Sequence, residues 1–204
     1  MSDKLMPPNQ TGHTVDSGCL ALQKLIRFYA RRRFQTMLQV TPEAVADGPL
    51  PLGNALVHGY MQAIVLLASR DLRVTFKAHF NRSDVMTLLQ RLSVLTSSTA
   101  RQQERVQDFF REYANLTAGG IKGELQHRGI ECGISLPVIT SGLDELFFND
   151  RVTDRSATDA WSVVATGATF VCTSTIDFAD PAVVHGLDFN EAFAVADGGS
   201  IEFL

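Results

Sequence analysis

The sequence predicts an α+β fold: two long helices packed on an antiparallel sheet, with the chain organised as two related halves. Three observations carry this. Apolar residues recur at three- and four-residue spacing over two long stretches, from Ser17 and from Ala100. Each stretch is followed by paired runs rich in Val, Ile, Phe and Thr with turn residues between them. The composition, 45% hydrophobic and 20% charged over 204 residues, is that of an ordinary globular chain. No residue-level repeat links the halves, so the duplication is one of topology.

Residues 1–15 combine Pro, Asn, Thr and Gly without periodicity and read as a mobile lead-in to a single α+β domain over 16–204. In the first helix Leu22, Leu25, Ile26, Tyr29, Phe34, Met37 and Leu38 form the apolar stripe. Thr41-Pro42 and Asp47-Gly48-Pro49-Leu50-Pro51 end it and form a loop or short edge strand. Val57 to Leu67 and Arg73 to His79 read as two strands around the turn Ser69-Arg70-Asp71, and Asn81-Arg82-Ser83 caps a shorter helix carrying Val85, Leu88, Leu89 and Leu92.

A long helix is expected from about Ala100 to His127, stopped by Gly129, then short extended segments over Ile130 to Pro137 and Val138 to Thr140. Asn149 to Asp159 reads as a polar loop. Ala160 to Val164 and Thr169 to Phe178 read as a hairpin broken at Gly167, with Trp161 and Phe170 in the core. The tail from Pro181 has no assignable pattern.

Net charge is −4, which gives no global basic field for nucleic acid, and the cluster Arg27, Arg31, Arg32, Arg33 reads as a solvated helix face. Cys19, Cys132 and Cys172 are isolated and read as reduced, buried small hydrophobes, and the N-terminus lacks the apolar core of a signal peptide. No apolar run is long enough to span a bilayer, so a cytoplasmic protein with no membrane partner is expected. Five scattered histidines lack metal-ligand spacing; no metal site is expected. Nucleophile-elbow, Walker and dinucleotide fingerprints are missing as well.

The helix from Ala100 carries the functional argument. With Phe110 at zero on a wheel of about 100° per residue, Val106, Ala114, Thr117, Ile121 and Leu125 fall within about 60° and should face the core. Asp108, Glu112, Asn115 and Gly119 lie within about 40° of the opposite pole, and Lys122 about 60° from it. Asn is a poor helix-interior residue, and Gly119, Gly120 and Gly123 each cost up to about 1 kcal/mol relative to Ala. A carboxylate and an amide beside a glycine clearing form a surface another backbone can approach. On residues alone, an ordinary solvated face with the helix ending near Gly119 is the better explanation of the pattern.

The segment Glu112-Tyr113-Ala114-Asn115-Leu116-Thr117-Ala118-Gly119-Gly120-Ile121-Lys122, followed by Ile134-Ser135-Leu136-Pro137-Val138-Ile139, resembles the CheC/CheX/FliY family of chemotaxis phosphatases, and within it the CheX branch. The family pattern of an acidic or Ser residue, three residues, Glu, two residues, then Asn is met by Asp108, Glu112 and Asn115. Ala118, Gly119, Lys122 and Ile134 to Gly142 match the continuation. The family usually has Asn directly after the glycine, where this chain has Gly120. A second Glu-x-x-Asn is missing from the first half, which implies one site per chain.

The resemblance implies a CheC-like fold and dephosphorylation of the aspartyl-phosphate of a response-regulator (CheY-like) receiver domain. Asn115 would orient the attacking water and Glu112 would pair with the receiver's Lys. Asp108, Gly119 and Lys122 would line the docking surface. No cofactor of its own is implied, the Mg2+ belonging to the partner receiver. A homodimer joined by sheet edges is implied too, with Val57 to His79 or Ala160 to Phe178 as candidate edges. The alternative is a non-catalytic adaptor that binds a receiver or signalling partner through the same helix face.

Overall fold

The computed structural model describes residues 17–42, 44–47, 60–91, 99–141, 155–166 and 168–190. The elements in chain order are helix α1 (Ser17–Leu38), strands β1 (Ala44–Asp47), β2 (Tyr60–Ala68) and β3 (Leu72–Asn81), helices α2 (Arg82–Arg91) and α3 (Thr99–His127), then strands β4 (Gly133–Ile134), β5 (Val138–Ser141), β6 (Ser156–Ala165) and β7 (Ala168–Phe178). A short 3-10 turn, Pro181–Val184, follows.

All strand pairs are antiparallel, and the order across the sheet is β1-β6-β7-β3-β2, with β4 and β5 sharing the outer side of β2. This order reads the same from either end if β1, β2 and β3 are exchanged with β5, β6 and β7. Each half supplies a long helix, a short edge strand and a hairpin. The short strand of one half pairs with the hairpin of the other: β1 with β6, and β5 with β2. The expected duplication is thus present as an interlocked pair, joined at the centre by β3 and β7.

Alternation on β3 sends Val74, Phe76, Ala78 and Phe80 toward the helices, and Trp161, Val163, Phe170 and Cys172 join them from β6 and β7; all are buried. From above, α1 contributes Leu22, Leu25, Ile26, Tyr29 and Phe34, and α3 contributes Val106, Phe110, Tyr113, Ile121 and Leu125. The Phe80 and Phe110 rings stack at 3.8 Å, and Phe34 meets Phe170 at 4.7 Å. Burial on this scale, about 25 cal/mol per Å2 of apolar surface, is the principal stabilising term.

Local signals act where the residues place them. Asn81 caps α2, its Oδ1 accepting from the Ser83 amide at 2.9 Å. Helix α3 ends in a Schellman arrangement: Gly129 adopts φ +81, its amide donates to the Gln126 carbonyl, and the Ile130 amide donates to that of Leu125. The helix runs through Gly119 and Gly120 without a break, so the early end left open by the residues does not occur.

The short edge strand expected as one alternative after α1 is present at Ala44–Asp47. Three readings change. Residues 156–159, expected in a loop, open strand β6 and pair with Ser174 to Asp177 of β7. The basic cluster is not a solvated face: Arg33 is 9% exposed, and Arg27 forms a bidentate pair with Asp159 at 2.6 Å while its guanidinium sits 5.2 Å from the Trp161 ring. Finally, β2, β3, β6 and β7 each have a neighbour on both sides, so the strands expected to offer free edges are interior; the edges belong to β1 and to β4 and β5. The expected lead-in over 1–15, residues 57–59 of the second strand, Leu92, the loop over 149–154, the break at Gly167 and the tail beyond Asn190 lie outside the described residues.

Candidate functional site

Helix α3 is amphipathic with its core side on β2, β3 and α1. Every residue expected in its inward stripe, Val106, Phe110, Ala114, Thr117, Ile121 and Leu125, is buried. Tyr113, Ala118, Gly120 and Glu124 are buried as well, and of these Tyr113 and Gly120 meet α1.

On the opposite side the structure brings the candidate residues together along about four turns. Asp108, Asn115 and Gly119 are exposed, and Glu112 and Lys122 are half-buried. Glu112 and Asn115 are one turn apart on this face. Neither side chain bonds to any other described residue, so carboxylate and amide are both presented outward with their hydrogen-bonding capacity unused. Asp108 differs. Its carboxylate accepts from Arg111 Nη1 at 2.6 Å within the same helix, an exposed pair of small energetic weight.

The three glycines separate into two kinds. A Cβ on Gly120 would overlap the ring of Tyr29, so Gly120 is required by the close approach of α1 to α3. It belongs to the inner face, and the departure from the family pattern lies away from the candidate docking surface. A Cβ on Gly119 or Gly123 would meet nothing within 4 Å. The fold does not require glycine at either position, and each weakens the helix by up to about 1 kcal/mol.

Behind the site, the Tyr113 hydroxyl donates to the Ala30 carbonyl at 3.1 Å and lies 3.6 Å from Cys172 Sγ. A hydroxyl has one proton; with that committed to a carbonyl, the thiol is the donor of the second contact. Burial pushes the Cys172 thiol up to about 12 and the Tyr113 phenol well above its ordinary value. Arg33, lost in the basic cluster on sequence grounds, donates from Nε to the Leu116 carbonyl at 3.2 Å. Its place on the stripe of α1, four residues after Tyr29, was the available signal.

Among the described residues no group of three His, Cys, Asp or Glu is placed to hold a metal ion, and no helix is long and apolar enough to cross a membrane. Exposed apolar side chains gather near the β2 edge, at Leu66, Leu136 and Val138.

No family model matches the chain, and no curated protein matches it by sequence. Solved structures do match by fold. CheX in the CheX-CheY-BeF3-Mg2+ complex from Borrelia burgdorferi aligns with TM-score 0.61 at 17% identity, covering 76% of this chain and 97% of its own. A CheC-like superfamily protein from Shewanella sp. PV-4 aligns with TM-score 0.57 at 14% identity, over 78% and 98%. Chemotaxis protein CheX from Vibrio vulnificus aligns with TM-score 0.57 at 14% identity, over 76% and 99%. The resemblance read from the α3 segment is therefore met across the architecture: the chain has the CheX and CheC-like fold.

Proposed function

We propose that this chain is a phosphatase for the aspartyl-phosphate of a CheY-like response-regulator receiver domain, in chemotaxis or another two-component pathway. The observation that carries it is the pair Glu112 and Asn115, outward-facing and unengaged on one face of α3. Support comes from a protein of this fold, CheX, that forms a complex with CheY, BeF3 and Mg2+.

The chemistry asks little of the enzyme. In an acyl phosphate the aspartyl carboxylate is already a good leaving group, and the receiver's own Mg2+ and Lys neutralise the phosphoryl oxygens. Water attacks phosphorus in line, the P–O bond to the carboxylate breaks, and inorganic phosphate leaves. Asn115 accepts a hydrogen bond from the water and donates one on the same side, holding it in line. Glu112 pairs with the receiver's Lys and sets the register. Gly119, bare of a side chain, lets the receiver backbone approach, while Asp108 and Lys122 form the rim. The chain needs no cofactor of its own.

The test is phosphate release from a phosphorylated receiver. Wild type accelerates it, and Asn115→Ala loses on the order of 10²-fold. Binding to the phosphorylated receiver with no acceleration would instead support a non-catalytic adaptor working through the same face. We also propose a homodimer formed by sheet pairing at the edge carrying β5, beside the exposed Leu136 and Val138.

A further inference from the structure

We infer that Arg33 is a positioning residue for the α3 site: its buried guanidinium fixes the main chain immediately behind Asn115. The inference rests on the phosphatase reading and deepens it. Arg33 lies on the inner face of α1, 9% exposed, and donates from Nε to the Leu116 carbonyl at 3.2 Å. Leu116 follows Asn115 directly, and its carbonyl is also the one that an α-helix gives to the Gly120 amide. The turn it closes contains Gly119 and Gly120, with Gly123 next, so intrinsic helix propensity is lowest just after the reactive amide. A second, charge-assisted donor on that carbonyl holds the turn helical where the sequence favours it least.

The choice of side chain fits the task. A guanidinium is planar, delocalised and more weakly hydrated than an ammonium, so it can be buried against a carbonyl with a fixed direction. The neighbouring contact, the Tyr29 ring over Gly120, sets the distance between the helices at the next turn. Between them, α1 grips residues 116 and 120 from behind, while 112, 115 and 119 face outward. An amide that must hold one water in line tolerates little rotation of its helix, because small misplacements of a reacting group are costly.

The comparison that tests this uses two arginines of α1. Arg27 is half-buried and engages Asp159 and Trp161 of β6. Wild type, Arg33→Met, Arg33→Gln and Arg27→Met would be assayed for receiver dephosphorylation, with melting temperature recorded for each. The expected result is a roughly tenfold or greater fall in kcat for Arg33→Met, with KM within about twofold. Arg33→Gln, which keeps a neutral N–H donor, recovers part of kcat. Arg27→Met lowers the melting temperature but keeps kcat close to wild type. Equal losses of kcat in Arg33→Met and Arg27→Met at matched stability would overturn the inference, as would a changed KM with kcat intact. Should Arg33→Met not fold, Arg33→Gln decides: a partial fall in kcat at unchanged KM supports the inference, and kcat equal to wild type overturns it. Inactive wild type overturns the phosphatase reading itself, and this inference with it.

Discussion

Tyr113 and Asn115 stand two residues apart on α3 in opposite environments, one fully buried and the other exposed. The buried side makes a prediction about pH. In the folded chain the Cys172 thiol keeps its proton up to about 12, against an ordinary value near 9, because burial disfavours the thiolate. Tyr113 is raised in the same sense. Between pH 9 and 12 the folded state therefore binds more protons than the unfolded one, and stability falls as pH rises. Urea midpoints should be flat on this account below pH 8.5 or so and decline above pH 9, with a shallower decline in Cys172→Ala. On the exposed side, Glu112→Gln removes the charge proposed to meet the receiver's Lys. A charge-assisted bond of about 1.5–3 kcal/mol predicts a KM raised by roughly one to two orders of magnitude, with kcat less affected. A fall in kcat at unchanged KM would contradict that division of roles.

At the scale of elements, α3 was legible because its 3.6-residue period is long and regular; every residue placed on its inner stripe is buried. The glycines were not. A wheel gives direction but not the distance to a neighbouring helix, so Gly120 could not be told from Gly119 and Gly123. The structure separates them, and their substitutions should behave oppositely. Gly120→Ala forces α1 and α3 apart at Tyr29 and should destabilise by about 1–3 kcal/mol, the usual result of overpacking. Gly119→Ala enters open space and should stabilise the free protein by up to about 1 kcal/mol while weakening receiver binding. Thermal melts with a binding titration check both; a Gly119→Ala variant that gains stability and loses no affinity removes glycine from the docking surface. Strand β6 was half-missed because Ser156, Thr158 and Asp159 are polar, and polar residues at a sheet's edge of exposure read as loop. Arg33 was missed because four arginines close together read as solvated, and only the neighbouring helix shows which one is buried.

Across the whole molecule, the order of helix and hairpin in each half made the layered architecture legible, but not how the halves join. Cross-pairing of β1 with β6 and β5 with β2 is long-range, and nothing in a single sequence marks it. That cross-pairing also moved the available edges away from the long hairpin strands. The proposed homodimer pairs through the side of the sheet carrying β5, and sedimentation at micromolar concentration should find two copies, reduced to one by Val138→Lys. Through the same packing, α3 is held against the sheet and α1 while Asn115 and Gly119 on its other side are exposed, so the site rests on a helix and not on a loop. The most direct measurement is the decay of a phosphorylated receiver domain with Mg2+, alone, with wild type, and with Asn115→Ala. Wild type should accelerate phosphate release and Asn115→Ala should return it close to the receiver's own rate; equal acceleration by both proteins would contradict the role assigned to Asn115.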